Sequence, residues 1–264
     1  MNGSWFARED SMASTDSTFK DHFSGHASGY AASRPHYPAA LFDWLAQQCN
    51  AHVLAWDAGC GNGQATIALA ARFGNVYASD PSAKQIAAAE PAPNIRYAVA
   101  PAETCDLPDA SVDLVTVAQA MHWFDAARFQ VEARRVLEPD GVFAAWTYAQ
   151  SRVSTDVDAP FDRLHDALLE GYWPDGRQHV IDGYRKLPFA FKRLANIPEF
   201  DMHCDWTLPQ YLAYLRSWSA SQRYLRTTGN DAVALIEADM TKAWGDPQQV
   251  RAVVWPLTLH VGRC

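Results

Sequence analysis

Three glycines directly after an aspartate form the most informative short stretch of the chain. Residues 56–63 read "WDAGCGNG", which places glycine at Gly59, Gly61 and Gly63. Glycines at this spacing let a backbone approach a ligand closely where a helix begins, a position that favours phosphate groups. A dinucleotide-binding loop, however, needs glycine or alanine at position 64, and this chain has Gln64 there. The stretch therefore predicts a ligand-binding turn that departs from the dinucleotide pattern.

The aspartate before the glycines bears on which ligand the turn accepts. Asp57 is predicted to end a strand beside the helix N-terminus, where a pyrophosphate would otherwise lie. A carboxylate within about 4 Å of a phosphate costs about 1 to 4 kcal/mol, depending on the local dielectric. A ligand that carries an ammonium group and a sulfonium has the opposite preference. Asp57 thus favours S-adenosylmethionine over a nicotinamide dinucleotide.

Residues suited to the rest of that ligand follow the next predicted strands. Asp80 lies 21 residues after Gly59, the spacing at which a carboxylate accepts hydrogen bonds from ribose hydroxyls. Pro81 follows it and is placed to lie against the adenine ring. Ala102 and Glu103 come after the third strand, where backbone and side chain can meet the adenine edge. These positions are expected at one edge of the sheet, because ligands bind beyond the carboxyl ends of parallel strands.

The elements that must position these residues can be read from the hydrophobic pattern. Over roughly the first 150 residues, short apolar runs alternate with helix patterns, which is typical of parallel strands buried on both faces. The predicted strands are the runs "HVLAWD", "VYASD", "IRYAVA", "VDLVTVA" and "VFAAWTY". The pattern predicts an α/β fold with a doubly wound, Rossmann-like sheet.

The alternation of apolar runs and helix patterns ends after Tyr148. Residues 150–198 are predicted to be an insertion of helices and loops that caps the substrate side of the site. Two late strands, "FDMHCDW" and "RAVVWPLTLHVGR", are predicted to extend the same sheet around two helices. Residues 1–18, rich in Ser, Thr and Asp, are predicted to be a loose tail, and residues 19–264 a single domain.

Composition limits the partners and the compartment. The formal net charge of −8 argues against binding to nucleic acid or to an anionic membrane, since both require a basic surface. The five cysteines are odd in number and never form a C-x-x-C pair, which indicates reduced thiols and no zinc site. With no membrane-length apolar run and no signal-peptide pattern, the expected location is the cytoplasm. The oligomeric state stays open.

An ordered set of motifs resembles the class I S-adenosylmethionine-dependent methyltransferases. The stretches "DAGCGNG", "YASD", "APAE", "VDLVTVAQAMHWFD" and "LEPDG" stand in the order of that family, and the resemblance covers residues 19–264. Within it, "YAASRPHYP" and "AQAMHWFD" resemble the subgroup that contains trans-aconitate methyltransferase, in the type 11 group. The resemblance implies a seven-stranded sheet whose last strand pair is antiparallel.

The resemblance also implies roles for individual residues. The predicted cofactor-binding set comprises Tyr30, Arg34, Asp57, Gly59, Gly61, Gly63, Asp80, Pro81, Ala102, Glu103 and Ala118. Tyr30 and Arg34 would cover the methionine carboxylate as part of a lid, and Ala118 would approach the ammonium group. The residues of the glycine stretch would hold the rest of the methionine part. No metal is implied.

The predicted function is methyl transfer from S-adenosylmethionine to a small molecule, at a carboxylate or a hydroxyl oxygen. His122 and Trp123 follow the fourth strand and are predicted to meet the acceptor. An ionised carboxylate needs no base, whereas a hydroxyl does, and His122 is the candidate for that catalytic role. The alternatives are a cofactor-binding regulatory protein without catalysis and a nicotinamide-dependent oxidoreductase. The basic residues Arg185, Lys186, Lys192 and Arg193 fit a solvated face better than an anion site.

Overall fold

The computed structural model describes residues 35–264 and contains two sheets. Their strands are β1 Leu54–Ala58, β2 Asn75–Asp80, β3 Ile95–Val99, β4 Val112–Ala118, β5 Leu137–Thr147, β6 Lys192–Arg193, β7 Asp201–Trp206, β8 Arg251–Pro256 and β9 Thr258–Arg263. The larger sheet has seven strands in the order β3-β2-β1-β4-β5-β9-β6. Its first five strands pair in parallel, while β9 is antiparallel to both β5 and β6. The predicted Rossmann-like sheet with an antiparallel end is confirmed.

Helices connect the strands and cover the sheet. They are α1 Ala39–Gln48, α2 Gln64–Ala70, α3 Ala83–Ala87, α4 Ala126–Val136, α5 Thr155–Asp162, α6 Arg177–Ile181, α7 Leu208–Arg216, α8 Ser219–Thr228 and α9 Glu237–Trp244. A short 3₁₀ turn, Met121–Trp123, follows β4, and a π-helical turn, Arg163–Leu168, continues α5. Side chains set two of the helix starts: Asp125 accepts from the Arg128 amide, and Thr207 with Gln210 forms a capping box. Across residues 35–264, none of these helices is long and apolar enough to cross a bilayer.

Both faces of the large sheet are buried, which explains the unbroken apolar runs of its central strands. Leu114 and Val115, neighbours in β4, are both fully buried but belong to cores on opposite faces. The core that includes Val115 contains Phe129 from α4, and the core that includes Leu114 contains Leu69 from α2. Alternate residues of one strand thus pack against different helices, as the period of two requires.

The prediction for the late strands was wrong in one respect. The "FDMHCDW" strand, β7, does not join the large sheet but pairs with β8 in a separate two-stranded sheet. The "RAVVWPLTLHVGR" run is two strands that meet at Leu257, whose amide donates to Phe200 O at 2.9 Å. Pro256 lacks an N–H and cannot continue a ladder, so the chain passes there from one sheet to the other. The short strand β6 occupies the place at the sheet edge instead.

The cap, defined here as residues 155–181 and 201–256, has a core of its own. Aromatic side chains from both segments fill it, including Phe161, Tyr211, Trp218, Trp244 and Trp255. The predicted insertion, residues 150–198, contributes the first of these segments. The cap meets the large sheet at the carboxyl ends of its central strands, since Arg177 of α6 donates to Ala149 O directly after β5. The cap therefore stands over the edge at which the sequence placed the site.

Candidate functional site

The glycine loop between β1 and α2 has an unusual backbone conformation, and one of its glycines is not packed against a neighbour among the described residues. Gly59, Gly61 and Gly63 have φ values of +68°, +56° and +87°, a region that side-chain-bearing residues rarely adopt. A Cβ on Gly59 would lie 2.7 Å from Ala120 Cβ, and one on Gly63 would lie 2.5 Å from the Tyr97 hydroxyl. A Cβ on Gly61 would meet no atom of residues 35–264 within 4 Å. Gly61 therefore faces space that the described residues leave open, which makes it the part of the loop that a ligand can approach.

Asp57 lies beneath this loop with no exposed surface. Its two carboxylate oxygens accept hydrogen bonds from the hydroxyls of Thr66, at 2.6 Å, and Thr116, at 3.0 Å. Burial is the main cause that raises the pKa of Asp57 to about 6, against the lowering effect of the two hydroxyls. Its carboxylate bears a negative charge at neutral pH directly below the loop, which suits a cationic ligand and opposes a phosphate.

Asp80 ties the end of β2 to the glycine loop. Its Oδ2 accepts from the Gly61 amide at 2.9 Å, and its Oδ1 accepts from the Ser82 amide at 2.8 Å. A carboxylate offers about four acceptor positions, so these two bonds are compatible with two more from a ribose diol. The predicted ribose residue is thus in direct contact with the open glycine, although β1 and β2 are separate strands.

The residues predicted for the adenine end lie after β2 and after β3, and the residue predicted for the ammonium group lies at the end of β4. Ala102 is buried, and Pro81 is half-buried directly after β2. The Glu103 carboxylate accepts a hydrogen bond from the Asp125 amide at 2.7 Å, so it is bonded to the backbone where α4 begins. Ala118, at the end of β4, is half-buried. Tyr30 and Arg34, the predicted lid residues, and the predicted tail at 1–18 lie outside the described residues.

A strained residue ends β4 and directs the chain toward the cap. Gln119 has a φ of +56°, uncommon for a residue with a side chain. Its amide donates to Trp146 O at 2.9 Å, and its Oε1 accepts from the Thr147 hydroxyl at 2.7 Å. These bonds join the ends of β4 and β5 and stabilise the unusual backbone. The 3₁₀ turn that carries His122 and Trp123 begins two residues later.

His122 is enclosed by this turn and the cap. Its Nδ1 lies 3.0 Å from the hydroxyl of Tyr184, and its ring lies 4.6 Å from the Trp123 ring, centroid to centroid. Burial, with the nearby Arg177 and His179, lowers the pKa of His122 to about 3. The imidazole is therefore neutral at physiological pH. A base with so low a pKa is poorly matched to removing a proton from a hydroxyl.

Comparisons with known proteins place this geometry in a family. The sequence model of the Methyltransferase domain family matches residues 56–145. A Dictyostelium discoideum protein named as a methyltransferase is 30% identical over 234 residues, which cover 87% of this chain and 89% of the relative. The chain belongs to the class I S-adenosylmethionine-dependent methyltransferases. A solved structure from Anaeromyxobacter dehalogenans, assigned as a type II methyltransferase, is 47% identical with a TM-score of 0.82, covering 87% of this chain and 97% of that one.

Membership in this class implies that the protein uses S-adenosylmethionine. The residues at the glycine loop fit this cofactor. The fit rests on the open cradle at Gly61, the buried charge of Asp57 below it and the Asp80 carboxylate beside it. The nicotinamide alternative is set aside. The contacts that each residue of the predicted cofactor-binding set makes to S-adenosylmethionine stay predictions.

Several residues that shape this site carried no signal in the sequence. They are Thr66 and Thr116, which donate to Asp57, Tyr184, whose hydroxyl contacts His122, Gln119, which follows β4, and Arg177 in the cap. Thr116 and Gln119 lie within "VDLVTVAQAMHWFD", one of the stretches that carry the family resemblance. The others are brought to the site by tertiary contacts.

The burial of Asp57 predicts that the unfolding free energy of this methyltransferase depends on pH. Between about pH 4 and 6 the native carboxyl holds a proton that the unfolded chain has released, so the unfolding free energy falls as the pH rises through that window. Asp57→Asn removes this effect. Relative to wild type, the variant should gain about 1 to 3 kcal/mol of unfolding free energy between pH 4 and pH 7.5.

Urea unfolding of both proteins at a series of pH values measures this gain. Asp43→Asn, at an exposed carboxylate paired with Arg72, is the control and should run parallel to wild type. A constant difference between Asp57→Asn and wild type from pH 4 to 7.5 would contradict the prediction.

Proposed function

We propose that this methyltransferase acts on a small molecule, with a carboxylate oxygen as the leading acceptor and a hydroxyl oxygen as the second. One observation carries the proposal: the cap is packed on the turn that follows β4. A Cβ on Gly176 of the cap would lie 3.1 Å from His122 O, and one on Gly59 would lie 2.7 Å from the ring of Phe124. An acceptor beside the glycine loop would therefore lie beneath the cap, which suits a small ligand better than a polymer.

The aromatic side chains after β4 and in the cap support the same class of acceptor. Trp123 and Phe124 follow β4, and Trp173 lies in the cap within 5.4 Å of Trp218, centroid to centroid. Aromatic walls with a few polar groups are typical of small-molecule sites. The net charge of −8 gives no general attraction for a nucleic acid.

The protonation state of His122 favours a carboxylate over a hydroxyl. S-adenosylmethionine, when bound, supplies a methyl group activated by a positively charged sulfur. The chain's residues then have to bind the acceptor, orient it and exclude water, and this positioning is worth several kcal/mol. A carboxylate acceptor is already ionised at pH 7 and needs no proton removed. The neutral His122, with its pKa near 3, suits such an acceptor because it is too weak a base to prepare a hydroxyl.

His122→Ala separates the two acceptors. With a carboxylate acceptor, the variant should lose more affinity for the acceptor than rate of methyl transfer in a single turnover. With a hydroxyl acceptor, the single-turnover rate should fall by about 100-fold, the effect typical of losing a general base. The acceptor is first identified by incubating the protein with methyl-labelled S-adenosylmethionine and a panel of small acids, alcohols and phenols.

Two results would overturn the proposal. One is methylation of protein or RNA with none of the small acids, alcohols or phenols. The other is tight binding of S-adenosylhomocysteine with no methyl transfer to any member of the panel, which would favour the regulatory alternative.

A further inference from the structure

Arg177 carries a half-buried charge that no carboxylate of the described residues neutralises. Its Nη2 donates to Ala149 O at 2.9 Å and to His165 Nε2 at 2.8 Å. Its Nε is buried without a hydrogen-bond partner in the described part of the chain. Among residues 35–264, none of the ion pairs involves Arg177. Burial is the largest influence on this guanidinium and lowers its pKa.

His165 holds Arg177 in place without supplying a negative charge. A guanidinium can only donate, so His165 Nε2 must carry the lone pair and the ring proton must be on Nδ1. That proton is donated to Asp166 Oδ1 at 2.5 Å. The imidazole is thus neutral, and burial lowers its pKa, which keeps it so. Asp166 lies on the far side of the ring with 61% of its side chain exposed, and its charge opposes the lowering of the Arg177 pKa without forming an ion pair with that guanidinium.

The plane of the guanidinium is also restrained by an aromatic ring. Arg177 Cζ lies 4.4 Å from the centroid of Trp173. The indole nitrogen of Trp173 donates to His165 O at 3.1 Å, so both partners of Arg177 belong to one rigid group. The π-helical turn at Arg163–Leu168 presents His165 toward Trp173 and Arg177, and such turns often occur at functional sites.

This group lies on the same side of the sheet as the glycine loop. Ala149, which accepts from Arg177, follows the carboxyl end of β5, and Gly176 packs against His122 O after β4. Arg177 is close enough to His122 to contribute to lowering the pKa of that histidine. The cation therefore faces the region where the acceptor is proposed to bind.

We propose that Arg177 is the anion-binding residue of the acceptor site and that it binds a carboxylate of the acceptor. The inference rests on the proposed function, since it assumes that the acceptor lies beneath the cap. A guanidinium has five N–H groups, and the two on Nη2 are used by Ala149 and His165, which leaves those on Nε and Nη1 for a ligand. Burying a cation costs free energy that an anionic partner offsets, and a substrate carboxylate would supply that partner.

The basic residues that the sequence drew attention to are less suited to this role. Lys186 is mostly exposed and pairs with Asp182 at 2.7 Å. The Arg193 guanidinium lies over Phe189 and contacts His260 Nδ1 at 2.8 Å, at the far edge of the sheet in β6. Among the lysines and arginines of residues 35–264, Arg177 combines partial burial with a position near His122.

The test is calorimetry in the presence of saturating S-adenosylhomocysteine. The probes are two pairs of equal shape, benzoate with benzamide and succinate with succinamide, so that each pair differs in charge. Wild type should bind at least one acid and prefer it to its amide. Arg177→Met should bind that acid about 10- to 100-fold more weakly and the amide unchanged, because charged hydrogen bonds are lost. Arg177→Gln is the second variant in case Arg177→Met does not fold, and it should show the same loss.

Arg163→Met is the matched control, because it removes a guanidinium of the same cap that is already paired with Asp239. It should bind the acids as wild type does. The affinity for S-adenosylhomocysteine should be unchanged in all variants. Equal acid binding by wild type and by folded Arg177 variants would overturn the inference, as would wild type that binds neither acid.

Methyl transfer, measured separately, distinguishes failure of the inference from failure of the proposed function. Transfer to neutral small molecules with no effect of Arg177→Met would overturn the inference and leave the proposed function in place. Acid binding that depends on Arg177, with no methyl transfer to any small acceptor, would support the inference and overturn the proposed function.

Discussion

Gly61→Ala is expected to weaken binding of S-adenosylhomocysteine by about 100-fold while the protein remains folded. A Cβ at this position meets no atom of the part of the chain that the structure describes within 4 Å, so among those residues the change costs only the strain of a left-handed backbone at a φ of +56°. That strain is about 1 to 2 kcal/mol. The methyl group would instead occupy the open cradle beside Asp80, where the cofactor is predicted to lie.

Gly59→Ala, two residues earlier in the same loop, should have its main effect on folding. Its Cβ would lie 2.7 Å from both Ala120 Cβ and the Phe124 ring. Ala120 Cβ is bonded directly to the backbone and cannot rotate away, so the clash adds to the strain of a φ of +68°. The expected loss is about 2 to 5 kcal/mol of unfolding free energy.

Urea unfolding and calorimetry with S-adenosylhomocysteine, applied to both variants, separate the two effects. The pair serves as its own control, because both changes put one methyl group on a glycine of the same loop. Gly61→Ala that binds as wild type would mean that the cofactor does not approach this glycine. Gly59→Ala with unchanged stability would contradict the packing described for the loop.

Asp80→Ala is expected to lower cofactor affinity by about 2 to 4 kcal/mol, or about 30- to 1000-fold. The predicted loss comes from two hydrogen bonds between the carboxylate and the ribose hydroxyls. The structure adds a second cause, because the same carboxylate accepts from the Gly61 amide at 2.9 Å. Without that bond the open part of the glycine loop is no longer held in position for the ligand.

Calorimetry with S-adenosylhomocysteine measures this loss. Asp106→Ala is the control, since Asp106 is an exposed carboxylate that pairs with Arg96 on β3 of the same sheet. Its affinity for the cofactor product should equal that of wild type. An unchanged dissociation constant in folded Asp80→Ala would show that the ribose lies elsewhere.

Much of the fold and of the cofactor side of the site could be predicted because the signals are local. The turn at Gly59–Gly63 requires glycine at positive φ, so its glycines mark it in the sequence. The central strands are buried on both faces, so each appears as an unbroken apolar run. Parallel strands share one carboxyl edge, and this topology placed Asp57 and Asp80 together without any knowledge of side-chain contacts.

Some strand pairings could not be predicted in this way. An apolar run shows that a strand is buried but not which neighbour it pairs with, so β7 was assigned to the large sheet rather than to β8. The two-residue strand β6 is too short to give any periodic pattern. For Glu103, the sequence did not show that its carboxylate accepts a hydrogen bond from the Asp125 amide.

The sequence by itself determined the class of fold and the methyl donor, and it predicted the edge of the sheet where the donor would bind. Only the tertiary structure decided what surrounds His122 and Arg177. Tyr184 reaches His122 across 62 residues, and Arg177 reaches Ala149 across 28. Tyr184 belongs to the core that contains Phe129, and Arg177 lies over Trp173 of the cap. Neither packing arrangement leaves a periodic or motif signal in the chain. The protonation states of Asp57 and His122 have the same origin, because burial by distant segments sets both.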